Sequence, residues 1–190
     1  MQHFLQSFGI LSGEEIASFL AMATFRKLKR GEFFIQDGKT CAEVAFIQSG
    51  TLRSFYNASN GEEMTYCITF PNAFMTAYSS FITGNPSIEN IQAMSPSELW
   101  VIRKSDIDRF SEMHPNGMKF QKHMAELQYM ELEKRIFLYQ QQTAKERFLE
   151  LTADHPEFIS QIPVQYLASY LGITSRHLSR LRKELHAESV

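Results

Sequence analysis

The apolar positions of the chain change texture three times. Between Ser12 and Ala23, Ile16, Phe19, Leu20 and Ala23 recur at helical intervals, and Ser12 followed by Glu15 has the spacing of a capping box. A short amphipathic helix is predicted there. From Gly31 to about Arg103 the chain turns into short β-rich runs, EFFIQ, EVAFIQ, TLRSFY, MTYCITF, ENIQAM and ELWVIR, separated by Asp37-Gly38, Ser49-Gly50, Asn60-Gly61 and Gly84-Asn85-Pro86. Many short strands divided by turn signals predict a sandwich or barrel. Ser105 is then placed to cap a helix DIDRFSEM that ends at His114-Pro115, and no proline or glycine interrupts residues 118–153. Within that tract Phe120, Met124, Leu127, Met130 and Phe137 follow spacings of 4, 3, 3 and 7, close to a heptad seam, with Lys134 inside it. About 25 residues of helix would reach about 37 Å, longer than a β-rich domain needs for packing alone, which points to a dimerisation helix. Gln140-Gln141-Gln142-Thr143 breaks the apolar pattern without breaking helical propensity, so a hinge is expected near 140–144.

The last third carries a second pattern. Pro163 suits the start of a helix whose apolar stripe is Val164, Leu167, Ala168 and Leu171. Gly172 ends it, Ile173 packs inward, and Thr174 can cap a further helix carrying Leu178, Leu181 and Leu185 on one side. Small Ala168, turn-forming Gly172 and apolar Leu178 have the spacing of a helix-turn-helix. The opposite face of the second helix carries Ser175, Arg176, Ser179, Arg180 and Lys183. Arginine can donate two hydrogen bonds to O6 and N7 of guanine in the major groove, so Arg176 and Arg180 are the candidate base readers. Gln165, Ser169, Thr174, His177, Ser179, Arg182 and Lys183 are candidates for phosphate contacts.

Composition narrows the partner. The chain has 190 residues, 44% of them hydrophobic, and a formal net charge of -2. A general polyanion binder needs many cations at once, so any contact with DNA must be local to the cationic helix. No N-terminal run combines a basic start, an apolar core and a small-residue cleavage site, and no stretch approaches the roughly 20 apolar residues of a membrane span. A cytoplasmic protein with no membrane partner is expected. Cys41 and Cys67 are the only cysteines, without a C-x-x-C, too few for an all-cysteine zinc or iron–sulfur site. No metal site is expected. The chain contains no G-x-x-x-x-G-K-[ST], G-x-S-x-G, H-E-x-x-H or G-x-G-x-x-G, and an enzyme is not expected.

The run RGEFFIQDGKTCAEVAFIQSGTLRSFY, with Gly31, Gly38 and Gly50 each at a turn, resembles the start of a cyclic-nucleotide-binding β-roll. Followed by the long helix and the helix-turn-helix, it resembles the Crp/Fnr superfamily of bacterial transcription regulators over nearly the whole chain. The resemblance implies an α+β fold: an N-terminal double-stranded β-helix, or jelly-roll-like β-roll, over residues 1–115, a dimerisation helix over 116–142, and a helix-turn-helix DNA-binding domain over 143–190. It implies a homodimer whose recognition helices enter successive major grooves of near-palindromic double-stranded DNA, about 34 Å apart. The chain ends five residues after Leu185, so the family's β-hairpin wing is expected to be missing. The family's Arg-Glu pair and following Arg match Ser175, Arg176 and Arg180 here, so the acidic partner is absent and a different preferred sequence is expected.

The same comparison implies a degenerate ligand pocket. Aligned on Phe74, the Gly-Glu step that binds the ribose in cyclic AMP binders is Thr76-Ala77, and the Arg-Ser pair that binds the phosphate is Ser87-Ile88. The long-helix Thr-Ser pair that meets adenine is Leu132-Glu133. A buried phosphate without a cation is penalised by desolvation, so cyclic AMP in its usual pose is not expected, and no cofactor is assigned. Arg53, Arg103 and Lys104 could supply charge instead. The space beside Phe74, Met75, Tyr78, Phe81 and Ile82 is expected to be filled or to take an apolar ligand. An activator would also touch RNA polymerase, with the loop at 152–161 the positional candidate. The competing reading is a ligand-binding or protein-interaction module in which the terminal helices are a small bundle without DNA binding.

Overall fold

A computed structural model describes residues 1–154, 156 and 161–188. Two short helices, α1 (Gln2–Ser7) and α2 (Gly13–Ala21), precede eight strands. The strands are β1 (Thr24–Leu28), β2 (Phe33–Ile35), β3 (Glu43–Ser49), β4 (Leu52–Asn57), β5 (Glu63–Thr69), β6 (Phe74–Met75), β7 (Asn90–Ala93) and β8 (Ser97–Arg103), with α3 (Tyr78–Thr83) between β6 and β7. They form two four-stranded antiparallel sheets in the orders β1-β8-β3-β6 and β2-β7-β4-β5. The non-sequential order is that of a jelly roll. Leu28, Ala45, Ile47, Leu52, Ile91, Ala93, Leu99 and Val101 fill the space between the sheets. Gly50 makes the β3–β4 turn at φ +87°, where a Cβ would come within 2.6 Å of the Pro96 carbonyl oxygen. Both the backbone angle and the contact require glycine.

The outer face of the β1-β8-β3-β6 sheet is covered by helices, which is why β3 is buried on both sides. Phe46 on β3 and Phe74 on β6 meet Phe4 of α1 edge to face, and Phe19 of α2 meets Phe110 and Phe120. Those last two belong to α4 (Lys104–Met113) and α5 (Gly117–Gln141). The Ser12/Glu15 capping box forms as expected, and the Glu15 carboxylate also accepts from the Asn116 side chain at 3.0 Å and its backbone N–H at 3.1 Å. The Asn116 side chain, together with the Ser12 N–H, holds the Glu15 pKa down at about 2. One acid thereby ties the start of α2 to the start of α5.

Three expectations change. The residue capping α4 is Arg103, not Ser105, because the Lys104 N–H donates to the Ala42 carbonyl at 2.8 Å and starts the helix early. Strands β1 and β6 and helices α1 and α3 were not anticipated; β1 carries cations within TFRKL, and β6 has two residues. The seam assigned to α5 is divided: Phe120 is buried and Met124 packs beside it against α1, α2 and α4, within the protomer. Further along, α5 leaves Tyr129, Met130, Leu132, Ile136 and Phe137 exposed, and Met118 is exposed in its first turn. The helix breaks at Gln142, which is extended, and Thr143 with Glu146 forms a second capping box at the start of α6 (Ala144–Asp154).

Candidate nucleic-acid interface

The C-terminal unit consists of α6, α7 (Val164–Leu171) and α8 (Ser175–Glu188). Phe148, Ile162, Leu167, Ala168, Leu171 and Leu178 are buried together. Gly172 closes α7 in the left-handed region at φ +70°, and the Thr174 hydroxyl accepts from the His177 N–H at 3.2 Å to cap α8. The cap and the turn set α8 across α7, with Leu178 and Leu181 facing the core. On the other side Ser175, Arg176, Ser179, Arg180 and Lys183 are exposed. Ser179 donates to the Ser175 carbonyl at 2.9 Å. Arg180 is 69% exposed, and its Nε lies 3.7 Å from the carboxylate of Glu184, one turn on. Gln165 is exposed in the first turn of α7, whereas His177 and Arg182 are half-buried.

Ser169 is placed differently. Its hydroxyl accepts from the Thr65 N–H at 2.8 Å and donates to the Glu63 carbonyl at 3.3 Å, both on β5. Strand β5 is the open edge of its sheet, and Ser169 supplies the acceptor and donor that a neighbouring strand would have supplied. Beside it, Arg53 of β4 is 1% exposed and lies between the rings of Phe55 and Tyr166, 3.9 and 3.6 Å from their centroids. Its guanidinium reaches Glu63 at 2.5 Å and Gln92 at 2.9 Å. Ile68, Phe70 and Met94 of the roll join the apolar cluster of the C-terminal unit. The unit is therefore packed on the β-roll.

A second cluster lies where α5 passes the same edge. Arg135 stands over the rings of Tyr66, Tyr139 and Tyr170, at 5.9, 5.5 and 4.6 Å. Tyr139 donates to the Tyr170 carbonyl, and its ring lies 3.0 Å from where a Cβ on Gly172 would stand. Arg147 donates to the carbonyls of Gln142 and Leu171 at 2.6 and 2.9 Å. Tyr66 in turn donates to the carboxylate of Glu89, and burial pushes both pKa values up.

The positions assigned to a ligand pocket are each engaged in separate contacts. Phe74 is packed among the phenylalanines of the helical layer. Thr76 donates to the Glu43 carbonyl at 2.8 Å, and Ala77 is fully buried. Ser87 donates to the Glu89 carbonyl at 2.9 Å, while Ile88 is 80% exposed. Leu132 and Glu133 are exposed on α5, and Glu133 accepts from Tyr129 at 3.5 Å. Met75 is buried in the core between the sheets, Phe81 packs on the helical layer, and Tyr78 and Ile82 are exposed. A cleft of about 540 Å³ lies elsewhere, among Phe34, Ile35, Cys41, Glu43, Arg103 and Lys104. Of the spare cations, Arg53 serves the contact with α7 and Lys104 pairs with Asp108 at 2.7 Å. Among the described residues no group of three or more His, Cys, Asp or Glu could hold a metal, and no helix is long and apolar enough to cross a membrane. Of the loop expected at 152–161, residues 152–154 are instead the last turn of α6, and residues 155 and 157–160 lie outside the described residues, as do residues 189 and 190.

Sequence reasoning considered Arg53 only as a spare charge for the ligand pocket, and missed Arg135, Tyr166 and Glu184. Only Glu184 had a readable signal, its position four residues after Arg180.

Known proteins place this architecture. Residues 25–114 match the family of the cyclic nucleotide-binding domain. No curated protein sequence matches the chain significantly. Among solved structures, FixK2 from Bradyrhizobium japonicum is similar with a TM-score of 0.78 at 16% identity, over 88% of this chain and 86% of that one. A transcriptional regulator assigned to the Crp/Fnr family from Eubacterium rectale gives 0.73 at 14% identity, over 98% and 88%. The c-di-GMP-responsive regulator CLP of Xanthomonas campestris gives 0.67 at 15%, over 94% and 93%. Residues 25–114 are thus similar to cyclic nucleotide-binding domains, and the chain as a whole shares the fold of these solved structures.

Proposed function

We propose that this protein is a DNA-binding transcription regulator of the Crp/Fnr type that binds near-palindromic promoter DNA as a homodimer. The observation that carries the reading is the exposed face of α8, where Arg176, Arg180 and Lys183 stand opposite buried Leu178 and Leu181. Ser175, Arg176 and Arg180 read base edges; Gln165, Thr174, His177, Ser179, Arg182 and Lys183 hold phosphates. Ser169 is left out of that set because its hydroxyl is committed to β5. The reading divides the chain into a β-roll at 1–115, a dimer helix at 116–142 and a DNA-binding unit at 143–190. The exposed apolar side chains at Tyr129, Met130, Leu132, Ile136 and Phe137 fit a second copy of α5.

The nucleotide pocket is degenerate in this reading: the phosphate-binding positions are Ser87, whose hydroxyl donates to the Glu89 carbonyl, and exposed Ile88, and neither supplies a cation. An activator form would touch RNA polymerase. The test is selection of bound duplexes from a random DNA pool by the purified protein. Enrichment of a two-fold symmetric site is expected, and failure to enrich any sequence at low salt would overturn the reading. A titration with cyclic AMP is expected to leave the selected affinity unchanged.

A further inference from the structure

The contact between the β-roll and the C-terminal unit leaves the cationic face open. On α7 it uses Tyr166, Ser169 and Tyr170, while Gln165 and the α8 residues Arg176, Arg180 and Lys183 remain exposed. The contact is also specific in direction. Ser169 matches one N–H and one carbonyl of the β5 edge, Arg53 is held between rings of the two units, and Arg135 is surrounded by tyrosines from β5, α5 and α7. Tyr139 adds a bond to Tyr170 and a packing contact at Gly172, the turn from which α8 departs. An arrangement that touches only the back of a helix-turn-helix, and touches its turn, fixes orientation without occupying the reading surface.

We propose that Arg135 and Arg53 are positioning residues for DNA binding, which set the angle at which the roll presents α8. This rests on the DNA-binding reading above. Two copies of α8 must meet half-sites about one helical turn apart, so an error in the angle of either unit alters the spacing the dimer accepts before it alters the bases each helix prefers. Arg135 joins roll, long helix and helix-turn-helix in one cation–aromatic cluster and is the better residue to test, because it lies outside the core of the roll.

The experiment compares wild type, Arg135→Met and Arg135→Lys. The first readout is binding to duplexes whose selected half-sites are separated in single base-pair steps around one turn. Wild type is expected to prefer one spacing by about tenfold or more. Arg135→Met should retain the half-site sequence and lose most of that preference, and Arg135→Lys, which keeps a cation over the rings, should retain it. The second readout, taken without DNA, is hydrogen exchange at the Thr65 amide, which donates to the Ser169 hydroxyl across the join. In Arg135→Met it should speed up about tenfold while amides of β3 and β8 are unchanged. Unchanged exchange at Thr65 overturns the clamp. Faster exchange with an unchanged spacing preference overturns its positioning role. Should wild type select no duplex at all, the DNA-binding reading itself fails and the positioning role falls with it, while the exchange result still reports whether the clamp forms.

Discussion

Two pairs of arginines in this chain carry the same side chain in opposite settings. Arg53 and Arg135 are held at the join between roll and helix-turn-helix, stacked on aromatic rings and, for Arg53, bound to Glu63 and Gln92. Arg176 and Arg180 stand in water on α8, with one loose pair to Glu184 between them. A guanidinium that has lost its water depends on the partners the protein supplies, for Arg53 two rings, Glu63 and Gln92 with Nη1 left unbonded among the described residues, so its deletion falls on stability. One that keeps its water contributes little to the fold and remains available to an external partner. In the proposed reading, the difference separates residues that place the reading surface from residues that form it.

The largest effect should follow removal of the buried member. Arg53→Ala deletes the ion pair with Glu63 and the filling between Phe55 and Tyr166, and is expected to cost about 3 kcal/mol of stability. Urea unfolding measures it. A loss under about 1 kcal/mol would mean that the join contributes no more than an ordinary surface contact, and the comparison would collapse.

Arg180→Ala should give the reverse pattern. Stability is expected to stay within about 0.5 kcal/mol of wild type, because among the described residues the partner removed is the exposed Glu184. Affinity for the selected duplex should fall by about 1–3 kcal/mol, with preference relaxed at one base pair in each half-site. Anisotropy titrations against the selected and the singly altered duplex separate the two effects.

The exposed pair was legible in the sequence and the role of the pair at the join was not, for a physical reason. Ala168, Gly172, Thr174 and Leu178 fix a turn and two helix faces through contacts within a few residues, so the spacing alone placed Arg176 and Arg180 on the outer side of α8. The bond between Thr65 and Ser169 spans 104 residues, and no local pattern states that β5 is an edge or that a helix will cover it. Periodicity on α5 failed in the same way. It located apolar positions correctly but could not say that Phe120 and Met124 are covered by α1, α2 and α4 while Leu132 and Ile136 are left open. The strand runs were readable because alternation and turn residues are local, whereas β6 has two residues and no pattern of its own.

Gly172 connects the two settings, since it makes the turn before α8 and touches Tyr139 beside Arg135. Gly172→Ala places a Cβ at φ +70° and 3.0 Å from the Tyr139 ring, and is expected to cost about 1–2 kcal/mol. Tyr139→Ala in the same background removes the ring but not the backbone strain. A thermal melt of the double variant that recovers part of the loss shows that the clash with the ring, and not only the turn, contributes to it; strict additivity would mean that Tyr139 does not pack on Gly172.

The smallest effect belongs to Glu184. An exposed pair in the order Arg then Glu at four-residue spacing is the weaker orientation on a helix, so Glu184→Gln should change stability by less than about 0.5 kcal/mol. Its effect on DNA has a definite sign. The carboxylate flanks the cationic face and repels phosphate, so its neutralisation should raise affinity for selected and unrelated duplexes alike, most at low salt. A fall in affinity confined to the selected duplex would reverse the assignment: Glu184 would then act by aligning Arg180 or by accepting from a cytosine amino group, and would belong to the residues that form the reading surface.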